Sequence, residues 1–196
     1  MDKLKISGIA GLVAPVVAFA LILSAISSWP QFSWTNNALS DLGVQNGSTA
    51  IVFNSGLVIS GLLFTVFTVG LFRFVGNGFV GKVGVAVFVF ASVMLVAIGV
   101  FNEHFSPTHY LVSVGLFVSL PISMLILVYS FWTAGEHKLS IFTLTLALLA
   151  AAVWIFEFTI RYVSGVAIPE FASGLAGAIW VVILSFLMLK RPLKPS

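Results

Sequence analysis

Asp41, Glu103, Glu157 and Glu170 are four of the chain's six acidic residues. Two of its three histidines, His104 and His109, stand beside Glu103 in the stretch FNEHFSPTHY, residues 101–110. Arg161 follows Glu157 at i+4. Carboxylates and imidazoles bind divalent metals and move protons, so these residues set the chemical question. The two histidines are five apart with Pro107 between them, which matches neither helical metal spacing nor a zinc motif. No metal is therefore favoured; were one held, His104, His109, Asp41 and Glu157 are its candidate ligands, drawn from separate segments. The chain has no cysteine, which removes thiolate metal sites, iron–sulfur clusters, disulfides and cysteine nucleophiles. A haem clamped by two histidines needs ligands from opposing helices, and His104 and His109 share one short segment, so haem is disfavoured. No cofactor is expected.

Glu157 lies inside the apolar run AAVWIFEFTIRYV. An ionisable group in such a run is a functional hypothesis by default, because lipid cannot solvate it. On a continuing helix Arg161 shares its face. One reading is a pair that snorkels to the interface. The other turns the pair inward, where Arg161 holds a phosphate or carboxylate. A serine–histidine hydrolase would pair Ser40 or Ser106 with His104 or His109, yet no nucleophile-elbow motif supports it. Ser40–Asp41 with two histidines also resembles the zinc hydrolases of the ceramidase and progestin-receptor type. That family uses three histidines and seven helices, and the third histidine is missing here from the same face.

The elements that position these residues follow from hydropathy. Of 196 residues, 60% are apolar and only 8% charged. A water-soluble domain carries roughly 25% charged residues, so this chain belongs in a membrane. Six runs reach the length of about 20 residues that crosses a bilayer. They cover about 6–27, 50–72, 83–101, 110–133, 139–162 and 171–189. Backbone groups in lipid must be satisfied within the element, which predicts an all-α, polytopic, antiparallel bundle of six transmembrane helices. The short links RFVGNGFVGK and AGEHK force neighbouring helices to turn back on each other. The first run is read as a retained helix, since it is too long for a signal-peptide core and no small-residue cleavage site follows. No repeat or linker divides the chain, so residues 1–196 are taken as one domain.

Orientation comes from Lys and Arg. Lys3, Lys5, Arg73, Lys82, Lys138, Lys190, Arg191 and Lys194 all fall on one side if six helices alternate, and only Arg161 falls near the other. Both termini are thus expected in the cytoplasm of a cell-membrane protein. Asp2 and Glu136 join that side, while the other four acids, His104, His109 and Arg161 lie outside. Asn37, Ser40, Asn54, Asn102 and Thr159 sit at similar depth. The outer cluster put forward as a site is Asn37, Ser40, Asp41, Asn54, Glu103, His104, His109, Glu157 and Arg161. Within the first outer loop, FSWTNNALSDLG places Phe32, Leu39 and Leu42 among polar residues, which predicts a short interfacial helix. Small residues predict helix-packing faces at Gly56 and Gly61, at Gly81 and Gly84, and at Ser173, Gly174, Gly177 and Ala178. The other reading of such glycines is a ligand passage. The chain has no basic run suited to nucleic acid.

Three segments resemble a six-helix prokaryotic membrane family, common in archaea and labelled only as a domain of unknown function. They are NALSDLG after the first helix, VFNSGLVISGLLF opening the second (Asn54, Gly56, Gly61), and GVFNEHFSPTHYLVS before the fourth. Glu157 and Arg161 resemble an acidic–arginine pair on that family's fifth helix, where the two residues tend to lie closer together. The resemblance spans nearly the whole chain and implies the six-helix fold and membrane location. It brings no activity.

Three functions compete. The first is a non-enzymatic protein whose outer polar mouth binds a lipid headgroup, a small molecule or a partner subunit, as an accessory subunit of a membrane complex or a homo-oligomer. The second is a membrane-embedded hydrolase or transferase, metal-dependent or acid–base, at the outer leaflet. The third is a small-solute transporter, which needs polar or broken helices near the midplane. The middles of these spans carry only hydroxyls such as Thr65, Thr68, Ser92, Ser123, Thr143 and Thr145, so transport ranks last.

Overall fold

The computed structural model describes residues 3–191, and it is all-helical. Asp2 and Lys194 lie outside the described residues. Six long helices follow one another: α1 (Lys3–Ser27), α2 (Ser48–Phe74), α3 (Phe79–Val100), α4 (Thr108–Thr133), α5 (His137–Ile160) and α6 (Ala167–Lys190). Each is long and apolar enough to cross a membrane. The chain is therefore a multi-pass integral membrane protein, and its exposed helix faces are rich in large apolar side chains that suit lipid.

The helix bounds differ from the hydropathy runs by a few residues, because capping rather than hydropathy ends a helix. The largest consequence is at α5. The sequence places its end near Tyr162, but the helix stops at Ile160 and Arg161 takes a left-handed conformation with φ 55°. The Arg161 N–H still bonds the Glu157 carbonyl at 3.0 Å, so Arg161 closes the last turn and sends the chain away from the helix axis.

Contacts between successive helices pair the start of one with the end of the next. The Ser7 hydroxyl, early in α1, donates to the Val66 carbonyl late in α2 at 2.9 Å. Ser28 and Thr49 exchange a hydroxyl bond of 2.8 Å where the first loop begins and α2 starts. Ser140, opening α5, donates to Val128 near the end of α4 at 2.8 Å. Arg191 ties the end of α6 to the end of α2. Its guanidinium donates to the Phe74 carbonyl at 3.1 Å and lies 4.0 Å over the Phe74 ring.

Small residues admit these close approaches. A Cβ on Gly61 would meet the Ser92 carbonyl of α3 at 2.9 Å, and one on Gly99 would meet the Asn54 carbonyl of α2 at 2.6 Å. The α6 stripe is mixed. A Cβ on Gly177 would press on Leu120 at 3.0 Å, whereas one on Gly174 would meet Phe19 at 3.9 Å, an ordinary contact, so a methyl fits there. The hydroxyls also divide. Thr65, Ser92 and Thr145 bond carbonyls of their own helices. Ser123 instead crosses to Gly84 on α3, and Thr143 accepts from the indole of Trp180 on α6 at 3.1 Å.

Two apolar clusters fill the bundle. One, toward the termini, is built on Phe67, Phe88, Leu127, Trp180 and Leu184. The other, toward the opposite end, gathers Ile22, Leu39, Leu42, Phe53 and Ile98. The first long loop, residues 28–47, holds a 3-10 turn at Ser40–Val44 where the sequence suggests an interfacial helix. Leu39 and Leu42 on this turn are buried in the second cluster, because Leu39 and Leu42 gain more by covering α2 and α3 than by lying on the loop surface.

Candidate functional site

At the end away from both termini, three loops (28–47, 101–107 and 161–166) come together through backbone hydrogen bonds. The Thr35 carbonyl accepts from Ser164 and Gly165 at 3.0 and 2.8 Å. The Asn37 carbonyl accepts from Val166 and Ala167 at 3.1 and 2.9 Å, which joins the first loop to the start of α6. The Gly43 carbonyl accepts from the side-chain amides of Asn54 and Asn102 at 2.9 and 3.3 Å, which brings in the 101–107 loop.

Several residues that looked chemical in the sequence are builders of this mouth. Asn37 donates to the Asp41 carboxylate at 2.7 Å, and the Ala38 N–H donates to the same oxygen at 3.0 Å. Asp41 thereby fixes the turn in the manner typical of a short side chain bonding nearby backbone. Asn54 braces Gly43. None of Asn37, Asp41 and Asn54 lines either of the two spaces described below. His104 is exposed, and its backbone N–H bonds the Asn102 side chain.

The Glu157–Arg161 pair expected from i+4 spacing does not form. Glu157 is buried at 4% exposure, and its Oε2 has no hydrogen-bond partner. Arg161 is exposed, and no ion pair joins the two among the described residues. The left-handed turn at Arg161 takes its side chain off the helical face that i+4 spacing assumes. Neither residue lines either of the two spaces described below. Burial raises the Tyr162 hydroxyl above its usual range, and the nearby Glu157 carboxylate adds to this.

His109, Ser40 and Glu103 do face open space. His109 is only 9% exposed, and its Nδ1 lies 2.7 Å from the Phe101 carbonyl. A carbonyl only accepts, so Nδ1 is the donor and Nε2 is left toward Ser113, whose hydroxyl lies 3.5 Å away. These residues border a cleft of about 480 Å³ between α4, α5 and the start of α6. Its rim carries Tyr110, 66% exposed, and Phe158, 79% exposed, so the cleft borders the lipid-suited surface. A second, narrower space of about 130 Å³ runs into the bundle among α1, α2, α3, α4 and α6, with Gly174, Gly177 and Ala178 on its wall. Ser40, Ser113, Phe117 and Glu170 line both spaces and mark where they meet.

Glu170, Ser113, Phe117 and Trp154 are site residues that sequence reasoning passed over. Glu170 stands among the outer acids in the sequence but outside the candidate cluster. In the structure its Oε2 accepts the Leu39 N–H at 2.5 Å. Ser113 lies at i+4 from His109, a spacing that does signal a shared helix face. Among the described residues no group of three His, Asp or Glu side chains is placed to hold a metal ion. The ligand set His104, His109, Asp41 and Glu157 is dispersed, because His104 points to the surface and Asp41 is engaged in its own turn.

Six membrane-crossing helices with a loop-built mouth at one end define a class of small multi-pass membrane protein. The family described as protein of unknown function (DUF998) matches residues 12–187, from within α1 to near the end of α6, and the chain belongs to that family. No curated protein and no solved structure gives a significant match.

Proposed function

We propose that this protein binds an amphipathic small molecule taken from the membrane, with its polar end in the cleft beside Ser40, Glu103, His109 and Glu170 and an apolar part in the inner space. The observation that carries this reading is the meeting of the two spaces at Ser40, Ser113, Phe117 and Glu170. A polar-edged cleft that continues into an apolar space is the usual form of a small-molecule site. Ser40 is 9% exposed, and its hydroxyl bonds no described residue, so it stands ready for a ligand. By the distribution of Lys and Arg, this mouth faces the non-cytoplasmic side.

The test is extraction and mass spectrometry of protein purified from membranes. A bound amphiphile is expected in the wild type. Ser113→Trp, which fills the junction, is expected to remove it while the fold remains intact by circular dichroism. A wild type that carries no amphiphile, and whose thermal stability no amphiphile raises, refutes the reading.

A second reading, a serine hydrolase of the outer leaflet, is favoured by one geometry. His109 Nε2 faces the Ser113 hydroxyl at 3.5 Å while its Nδ1 is held by a carbonyl. That is the arrangement of a base beside a nucleophile, and such pairs are often long without substrate. Covalent labelling of Ser113 by a fluorophosphonate, lost in His109→Ala, supports it; an unlabelled Ser113 rejects it.

A further inference from the structure

The binding reading leaves the ligand's charge open, and the cleft wall answers it. Glu103 reaches the cleft from the 101–107 loop and Glu170 from the first turn of α6. Neither space is lined by any Lys or Arg. Glu103 and Glu170 thus border one cleft, and Asp41 is not in its lining. Asp41 is already occupied by Asn37 and the Ala38 N–H, and Arg161 is exposed outside the lining. One oxygen of Glu170 accepts from Leu39, and the other bonds no described residue. Carboxylates bordering an apolar space are costly unless a counter-charge arrives.

The same lining includes the aromatic rings of Phe117, Trp154 and Phe158. The rings of Phe117 and Trp154 have centroids 4.7 Å apart, and Trp154 stacks on Phe158 at 5.8 Å. The Trp154 indole N–H donates to Ser173 at 3.2 Å, which holds the ring in place. A cation between a fixed indole face and a carboxylate gains from both. An anion meets two carboxylates there and no cationic partner. Beyond the Phe117 and Glu170 junction, the space of about 130 Å³ is close in size to cavities that stay dry and take a benzene-sized group.

We infer that the cleft selects an organic cation, an amine or quaternary ammonium bearing an apolar group, with Glu170 and Glu103 as counter-charges and Trp154 as the ring that meets the cationic centre. This rests on the proposed binding function and assigns its ligand class. The anionic headgroups that Arg161 would attract from the sequence are disfavoured.

The test uses the full-length protein in lipid nanodiscs and three probes of similar shape: benzyltrimethylammonium, its uncharged carbon isostere neopentylbenzene, and the anion benzylphosphonate. Binding is read by tryptophan fluorescence and by calorimetry. The cation is expected to bind at least about tenfold more tightly than the isostere, with the anion weakest. Glu170→Gln is expected to lower cation affinity about tenfold and leave the isostere unchanged. Glu103→Gln, whose side chain bonds no described residue, gives a second variant that tests the charge without touching the Leu39 bond. Trp154→Phe keeps a ring but weakens the cation contact by a few-fold. If the isostere or the anion binds as tightly as the cation, the charge assignment is wrong while the binding function stands. If no probe binds but the purified protein carries an amphiphile, the cation assignment falls while the binding function stands; if no probe binds and no amphiphile is carried or stabilises the protein, both fall.

Discussion

The backbone N–H of Leu39 donates to the Glu170 carboxylate at 2.5 Å, joining residues 131 positions apart. This bond fixes the first loop over the mouth and at the same time orients the carboxylate that borders both spaces. Glu170→Ala removes the acceptor and leaves the Leu39 N–H unsatisfied. The expected loss is about 1.5–3 kcal/mol of stability, seen as a lower melting temperature and faster hydrogen exchange at Leu39. Glu170→Gln retains an oxygen acceptor and is expected to lose less.

Gly165 touches the backbone of the first loop so closely that a side chain does not fit. A Cβ there would lie 2.6 Å from both the Asn36 carbonyl carbon and the Asn37 nitrogen. Gly165→Ala is expected to push the two loops apart, cost about 1–3 kcal/mol, and open residues 28–47 to limited proteolysis. Gly174→Ala is the control, since its added methyl has room.

Glu157 and Arg161 should prove energetically independent. A double-mutant cycle of Glu157→Gln and Arg161→Ala is expected to give a coupling within about 0.5 kcal/mol of zero. Glu157→Leu is expected to stabilise the fold, since it removes a buried carboxylate oxygen that has no partner. Arg161→Gly relieves the positive φ and is expected to add a few tenths to about 1 kcal/mol. A coupling above about 1.5 kcal/mol would restore the paired reading.

Orientation is open to direct measurement. Cysteines introduced at Ser33 and at Asn77, in a chain that has none of its own, can be labelled from outside intact cells with a membrane-impermeant maleimide. Labelling at Ser33 and protection at Asn77 is expected from the distribution of Lys and Arg. The reverse pattern would place the mouth in the cytoplasm.

The sequence by itself determined that the chain is a six-helix membrane protein, and where its helices lie to within a few residues. Hydropathy is a local property, and twenty apolar residues have no other stable form in lipid. The identity of the site residues was decided at longer range. Asn37, Asp41 and Asn54 share their depth with Ser40, yet the first three bond the backbone while Ser40 faces the junction of two spaces; chain position does not tell one from the other. The i+4 argument holds for His109 and Ser113, which lie within one helix, and fails for Glu157 and Arg161, because a single left-handed residue ends the helix between them. The pairing of Leu39 with Glu170, and the aromatic rings that line the same cleft, come together only once six helices have packed, since these residues belong to different parts of the chain.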